Sequence, residues 1–192
     1  PFMPLYIKEV GNLTDSEAVF WSGIAAGGGG LAMFISAPLW GIAADRWGRK
    51  AMLLRAQFGG VILLAITALA PNVLSIIILR VAQGLLCGTV SAASALVSSQ
   101  TPQNKLSFAM GLLMVSIFAG TTLGPFLGGF IVDRLGYSNA FFVGAAILLL
   151  GGLVILFFVK EKFERYSQDK IISVTSMWQL ATSKKMFPLL IV

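Results

Sequence analysis

The ten residues Gly41 to Lys50, GIAADRWGRK, place one acid and three bases in their last six positions, within a chain that is 57% hydrophobic and only 11% charged. Asp45 closes an apolar run. A carboxylate there can accept hydrogen bonds from the free N–H groups at the N-terminus of a facing helix. Arg46, Arg49 and Lys50 can hold that carboxylate in its ionised form. The plainer reading is a topological anchor with a tight turn at Gly48, and the two readings are compatible.

Arg80 is the one charge placed clearly inside an apolar run. An arginine at mid-helix in a bilayer costs about 2.5–3.5 kcal/mol, so it should face protein or water. Gln83, Cys87, Ser91, Ser94 and Ser98 follow Arg80 at helical spacing and predict a polar stripe lining a cavity or a helix interface. The alternative is that Arg80 snorkels from about two turns inside the helix. Gly120, Gly124 and Gly128 recur every four residues, a spacing that lets helices approach closely, and Pro125 can bend that helix. Four consecutive glycines, Gly27 to Gly30, predict a close-contact or bending point. Met114 and Phe118 are candidates for lining a pocket for apolar molecules, or they face lipid and neighbouring helices.

Other chemistries are excluded or weakened. The chain has no histidine and a single cysteine, Cys87. That removes the commonest acid–base catalyst and any intrachain disulfide or thiolate metal site. A membrane-embedded enzyme would need a cluster of His, Asp, Glu or Cys at membrane depth, and none is visible, so no catalytic or metal-ligating residue is assigned. The net charge of +6 does not indicate nucleic acid, because the bases sit between apolar runs. No Asp or Glu occurs between Asp45 and Asp133. A coupling carboxylate for proton exchange would therefore lie outside these spans, or the coupling ion is not a proton.

These residues must be carried by membrane-spanning helices. Apolar runs of about 18 or more residues recur, with little polar face. PFMPLYIKEVG reads as the end of a first span. Thr14 and Glu17 form a capping-box pattern, and a second span follows over about 18–44. Further spans are expected over about 51–70, ending at the turn signal Pro71-Asn72, and over 73–98, 106–132 and 140–159. The turn DRLGYSN separates the last two. Residues 1–159 form one six-helix bundle with its first span truncated, 160–185 a polar and basic linker, weakly amphipathic, and 186–192 the start of a seventh span. With no initiator methionine and an apolar run only begun at MFPLLIV, the chain reads as a fragment cut inside a helix at each end.

Charge gives the orientation. Arg46, Arg49, Lys50, Arg55, Lys105, Lys160, Lys162, Arg165, Lys170, Lys184 and Lys185 fall on one side, and only Lys8 and Arg134 on the other. The first side, with the segments Arg46 to Lys50, Gln100 to Lys105 and Lys160 to Lys185, is expected to be cytoplasmic. A repeat adds to this. Gly41 to Gly48 and Gly129 to Gly136 both read G-x-x-x-D-R-x-G. They end the second and fifth spans on opposite faces, as inverted three-helix repeats would.

GIAADRWGRK resembles the G-x-L-A-D-R-x-G-R-K signature between the second and third helices of major facilitator superfamily transporters, with Ala43 where Leu is usual. LRVAQG, Leu79 to Gly84, resembles the R-x-x-Q-G signature of the fourth helix. GTTLGPFLGG, Gly120 to Gly129, resembles the antiporter signature of the fifth, and PFMPLY the P-x-x-P-x-Y ending of the first. The four motifs cover nearly the whole chain in the right order, and the third is similar to the drug:proton antiporter branch.

The resemblance implies an all-α polytopic transmembrane helix bundle, the N-terminal six-helix half of a bacterial multidrug efflux protein of the plasma (inner) membrane, of the kind tied to antibiotic resistance. Its partners would be a C-terminal six-helix half, the bilayer and a small amphipathic or apolar drug. It would need no cofactor and would use the proton as coupling ion. Gly41, Asp45, Arg46, Gly48, Arg49 and Lys50 would form a gate that latches when the cytoplasmic side is closed. Arg80, Gln83 and Gly84 would serve coupling or the cavity. Gly120, Gly124, Pro125, Gly128 and Gly129 would pack and seal the exchanger, and ordinary small-residue packing explains the same spacing. The rival expectations are the same fold carrying a sugar, organic acid or siderophore, and a non-transporting membrane scaffold or receptor.

Overall fold

A computed structural model describes residues 2–86 and 88–161. The linker beyond Glu161, the expected start of a seventh span and Cys87 lie outside them. The described residues form helices and connecting turns without a strand: α1 (Met3–Gly11), α2 (Asp15–Trp47), α3 (Arg49–Thr67), α4 (Val73–Leu86), α5 (Thr89–Gln100), a short 3-10 turn (Gln103–Lys105) and α6 (Leu106–Phe158). Asp15–Trp47, Arg49–Thr67, Val73–Gln100 and Gln103–Phe158 are each long and apolar enough to cross a bilayer. Phe34, Phe108, Phe126 and Phe158 are exposed, the reverse of a water-soluble core and the pattern of a multi-pass membrane protein.

Local signals explain the helix ends. α1 stops at Asn12, which takes the left-handed conformation (φ 48°, ψ 45°). The expected capping box opens α2: Thr14 N–H donates to Glu17 Oε2 at 2.9 Å, and the Thr14 side chain accepts from Glu17 N–H. After the Pro71-Asn72 turn, Asn72 Oδ1 accepts from Ser75 N–H at 2.8 Å and starts α4.

The fourth span runs over Val73–Gln100, close to the expected bounds, but as two helices, α4 ending at Leu86 and α5 beginning at Thr89. Between them Gly88 takes φ 125°, a conformation open to glycine and closed to residues with a Cβ. The turn expected at DRLGYSN is narrowed to one residue: the backbone is helical over Leu106–Phe158 except at Gly136 (φ 80°, ψ 170°), where the fifth and sixth spans part.

That single residue reverses the chain. A straight helix of these 53 residues would be about 80 Å long. Instead the chain folds back at Gly136, and its far end returns to the start of α3, where Glu161 accepts from Arg49 N–H. The part after Gly136 runs antiparallel to α3, with Gln57 bonded to Leu148 and Lys50 to Leu156.

Packing rests on small residues. Ala18, Ala25, Ala32, Ser36 and Ala43 are the buried residues of α2. Steps of seven, seven, four and seven keep them on one stripe, and that stripe lets α4 approach closely. At one end Tyr6, Ile7, Ala25, Ala70 and Ile76 form a core cluster. There the Tyr6 hydroxyl donates to the Thr67 carbonyl at 2.7 Å, and its ring meets Phe141 edge-on at 4.9 Å.

Candidate functional site

The GIAADRWGRK stretch is the end of α2, a one-residue turn and the start of α3. Gly48 is buried and takes φ 95°, ψ 149°. This conformation is essentially restricted to glycine, and it allows α3 to begin at the very next residue. Gly48 N–H donates to the Ala44 carbonyl at 3.0 Å.

The charges around this turn divide into two groups. Arg49 donates through Nη1 to the Ala95 carbonyl of α5 at 3.0 Å, and Lys50 Nζ donates to the Leu156 carbonyl of α6 at 2.9 Å. Both bases therefore bind this bundle to itself. Asp45 and Arg46 are exposed. Among the described residues the one ion pair is Lys8–Asp15, and no hydrogen bond joins Asp45 to Arg46, Arg49 or Lys50. The expectation that these bases hold the carboxylate finds Arg49 and Lys50 already engaged elsewhere. A carboxylate in the last turn of a helix is opposed by the helix dipole by about 0.3–1 kcal/mol, so folding alone gives no reason for Asp45.

Two residues overlooked in the sequence complete the region. Glu161 accepts from Arg49 N–H and Lys50 N–H, each at 2.9 Å, capping α3 with both carboxylate oxygens. Trp40 Nε1–H donates to the Leu85 carbonyl at 2.6 Å, and the Arg55 guanidinium stacks 3.2 Å from the Trp40 ring centre. The acid of Glu161, close after an apolar run, was a signal of the same kind as Asp45.

On α4 the Arg80 guanidinium is half-buried. Its Nη1 donates to Gln83 Oε1 at 2.7 Å and its Nη2 lies 4.0 Å from Met3 Sδ. Gln83 also lines a cavity of about 180 Å³ with Gln57, Gly60, Thr89 and Leu148. One turn along, Gly84 marks the contact of two backbones. A Cβ there would clash with the Gly29 carbonyl oxygen, and one at Gly29 would lie 3.1 Å from the Arg80 carbonyl oxygen. Ser36 Oγ adds a hydrogen bond to the Gly84 carbonyl at 3.3 Å. Within the four-glycine run Gly28 and Gly29 thus serve close packing, while beside Gly27 and Gly30 there is open space. The break at Gly88 ends the expected polar stripe as a single face. Ser91 and Ser98 are exposed and turn back to bond carbonyls three residues earlier.

In α6 the small residues split similarly. A Cβ on Gly128 would lie 2.6 Å from the Phe2 ring, and one on Gly129 3.8 Å from it, whereas Gly120 and Gly124 meet nothing within 4 Å. Pro125, Met114 and Phe118 are exposed on the same helix. The structure thus brings Arg49 and Lys50 together with α5 and the end of α6, sets Arg80 against α1 and Gly84 against α2 with Gln83 facing α3, α5 and α6, and leaves Met114, Phe118, Gly120 and Gly124 facing outward.

Comparison with known proteins agrees with these motifs. The sequence matches the Major Facilitator Superfamily across residues 1–192. It is 40% identical over 185 residues to the multidrug resistance protein MdtG of Escherichia coli (strain K12 / DH10B), covering 96% of this chain and 45% of that protein. It is 39% identical over 174 residues to the MdtG of Citrobacter koseri, covering 91% and 43%. The chain therefore spans less than half the length of these curated relatives. By its signature turn, its helical membrane architecture and this match along its whole length, the chain belongs to the major facilitator superfamily.

Proposed function

We propose that this chain is the N-terminal six-helix half of a proton-coupled multidrug efflux transporter, working by alternating access in a bacterial inner membrane. It is read as a transporter and not an enzyme. The name of its relatives, multidrug resistance protein, supports export of amphipathic or apolar drugs. The bias of Lys and Arg supports placing the Arg49 end of the bundle in the cytoplasm.

One observation carries the mechanism. Asp45 stands exposed at the end of α2 without a partner among the described residues, while Arg49 and Lys50 are bound to α5 and α6. A carboxylate so presented can receive the free N–H groups of a helix in the second half when the cytoplasmic side closes. Opening that side breaks the latch. Arg46, exposed beside it, tunes the local charge, and Gly41 and Gly48 shape the helix end and the turn. Arg80 with Gln83 serves proton coupling, since a charge held at membrane depth by a neutral amide responds to a nearby protonation. Gly120, Gly124 and Pro125 present a close-packing face to the second half, Gly128 and Gly129 pack on the first helix, and Met114 and Phe118 lie toward the drug. The coupling carboxylate belongs outside the described spans, and no cofactor is involved. The partners are the second half, lipid and a small-molecule drug, with no nucleic acid.

The test is energy-dependent efflux of an apolar cationic dye by the protein expressed from its complete reading frame, challenged by a broad competition panel. Competition by several unrelated apolar cations supports the reading. Competition by one sugar, organic acid or siderophore alone replaces the substrate class. No transport of any solute points to a scaffold or receptor.

A further inference from the structure

Glu161 belongs to none of the four motifs, yet among the described residues its carboxylate is the side chain that caps α3. Gly48, the residue before α3, has no side chain with which to cap it. Two of the free amides of the first turn instead reach across 112 and 111 residues to Glu161, with Arg49 N–H and Lys50 N–H each 2.9 Å from one of its oxygens. A charged cap of this kind is favoured by both the free donors and the helix dipole. The contact is reciprocal. Lys50 Nζ donates to the carbonyl of Leu156 at 2.9 Å, in the last turn of α6, where carbonyls lack helical partners. The start of α3 and the end of α6 therefore satisfy each other's orphan groups.

This lock lies one residue from the turn that presents Asp45. Only Gly48 separates α2 from α3, so fixing the amides of Arg49 and Lys50 fixes the direction in which α2 ends. We infer that Glu161 is a positioning residue of the gate: by capping α3 it holds the α2–α3 turn, and with it Asp45, in the orientation that keeps the cytoplasmic side closed. The inference rests on the gating role proposed for Asp45.

The test uses the complete transporter with Cys87→Ser and a reporter thiol, Ala44→Cys, labelled by an impermeant maleimide in inside-out vesicles. Glu161→Ala is expected to raise the labelling rate by about 2- to 30-fold, the range for loss of a helix cap. Glu161→Gln, which offers one neutral oxygen, should raise it less and serves if the alanine variant does not fold. Asp45→Asn should also raise it, and combining it with the Glu161 change should add nothing further, because both release one latch. Lys160→Ala is the control and should label like the parent. Parent-like labelling in both folded Glu161 variants, or effects that multiply with Asp45→Asn, would overturn the inference while leaving the gate intact. Parent-like labelling in Asp45→Asn would defeat the gate and the inference together.

Discussion

Gly48 and Gly136, the last residues of the two G-x-x-x-D-R-x-G copies, adopt nearly the same backbone conformation: φ 95°, ψ 149° and φ 80°, ψ 170°. Each is a one-residue junction at which one helical segment ends and the next begins. The pairs before them, Asp45 with Arg46 and Asp133 with Arg134, are all exposed. The repeat is thus one local structure used twice. The second copy differs in its packing, since Arg134 lies over its own helix's Phe130 ring at 4.3 Å.

Both glycines should resist substitution for backbone reasons. A Cβ on Gly136 would meet nothing within 4 Å, so Gly136→Ala isolates the conformational cost, about 1–3 kcal/mol for this region of φ and ψ. Thermal stability in detergent should fall for Gly136→Ala and for Gly48→Ala. An unchanged melting temperature for Gly136→Ala would show that the turn can be rebuilt without positive φ.

The glycines of α4 and α6 should separate stability from transport. Gly84→Ala would drive a methyl into the Gly29 carbonyl oxygen and should destabilise the bundle by about 1–3 kcal/mol or more. Gly120→Ala and Gly124→Ala meet open space and should leave melting unchanged while lowering efflux, if that face seats the second half. Melting curves and efflux on the same samples separate these outcomes. Normal efflux in both α6 variants would remove them from the sealing face.

Tyr6 joins three helices through one hydroxyl and one ring. Tyr6→Phe keeps the ring contact with Phe141 but removes the 2.7 Å bond to the Thr67 carbonyl. The Thr67 carbonyl keeps its bond from Ala70 N–H at 3.2 Å, so losing the hydroxyl should cost about 0.5–1.5 kcal/mol, measured as a shift of the thermal midpoint. A shift near zero would mean that the Ala70 amide alone satisfies the carbonyl.

Arg80 should matter for coupling more than for assembly. Arg80→Ala removes its bond to Gln83 together with a charge that is costly at membrane depth. Folding should be preserved, and uptake driven by an imposed pH gradient in vesicles should fall sharply. Uptake equal to the parent would take Arg80 out of the coupling pathway.

The sequence made legible those features whose causes are local. Thr14 and Glu17 predict their own capping box, Pro71 and Asn72 their turn, and Gly48 its tight turn. The break at Gly88 was hidden because the apolar run continues across it and a lone glycine is tolerated in a helix. The extent of helix through Asp133 and Tyr137 was hidden because polar turn residues also sit comfortably at exposed helix ends. Glu161 was invisible as a cap because its partners are 111 and 112 residues away, and nothing in local pattern reports contact at that separation. The buried stripe of Ala18, Ala25 and Ala32 was present in the sequence, but the four adjacent glycines are the more conspicuous feature.

The efflux and latch account is tested most directly at Asp45. Asp45→Asn keeps the shape of the side chain and removes its charge. Dye efflux should be measured in cells expressing the complete protein, normalised to the amount of folded transporter in the membrane. The expected result is a loss of about ten- to hundredfold, the effect of removing one charge-assisted contact, with parent-like melting because Asp45 bonds nothing among the described residues. Efflux equal to the parent at equal amount would contradict the latch and leave the charge cluster as a topological anchor.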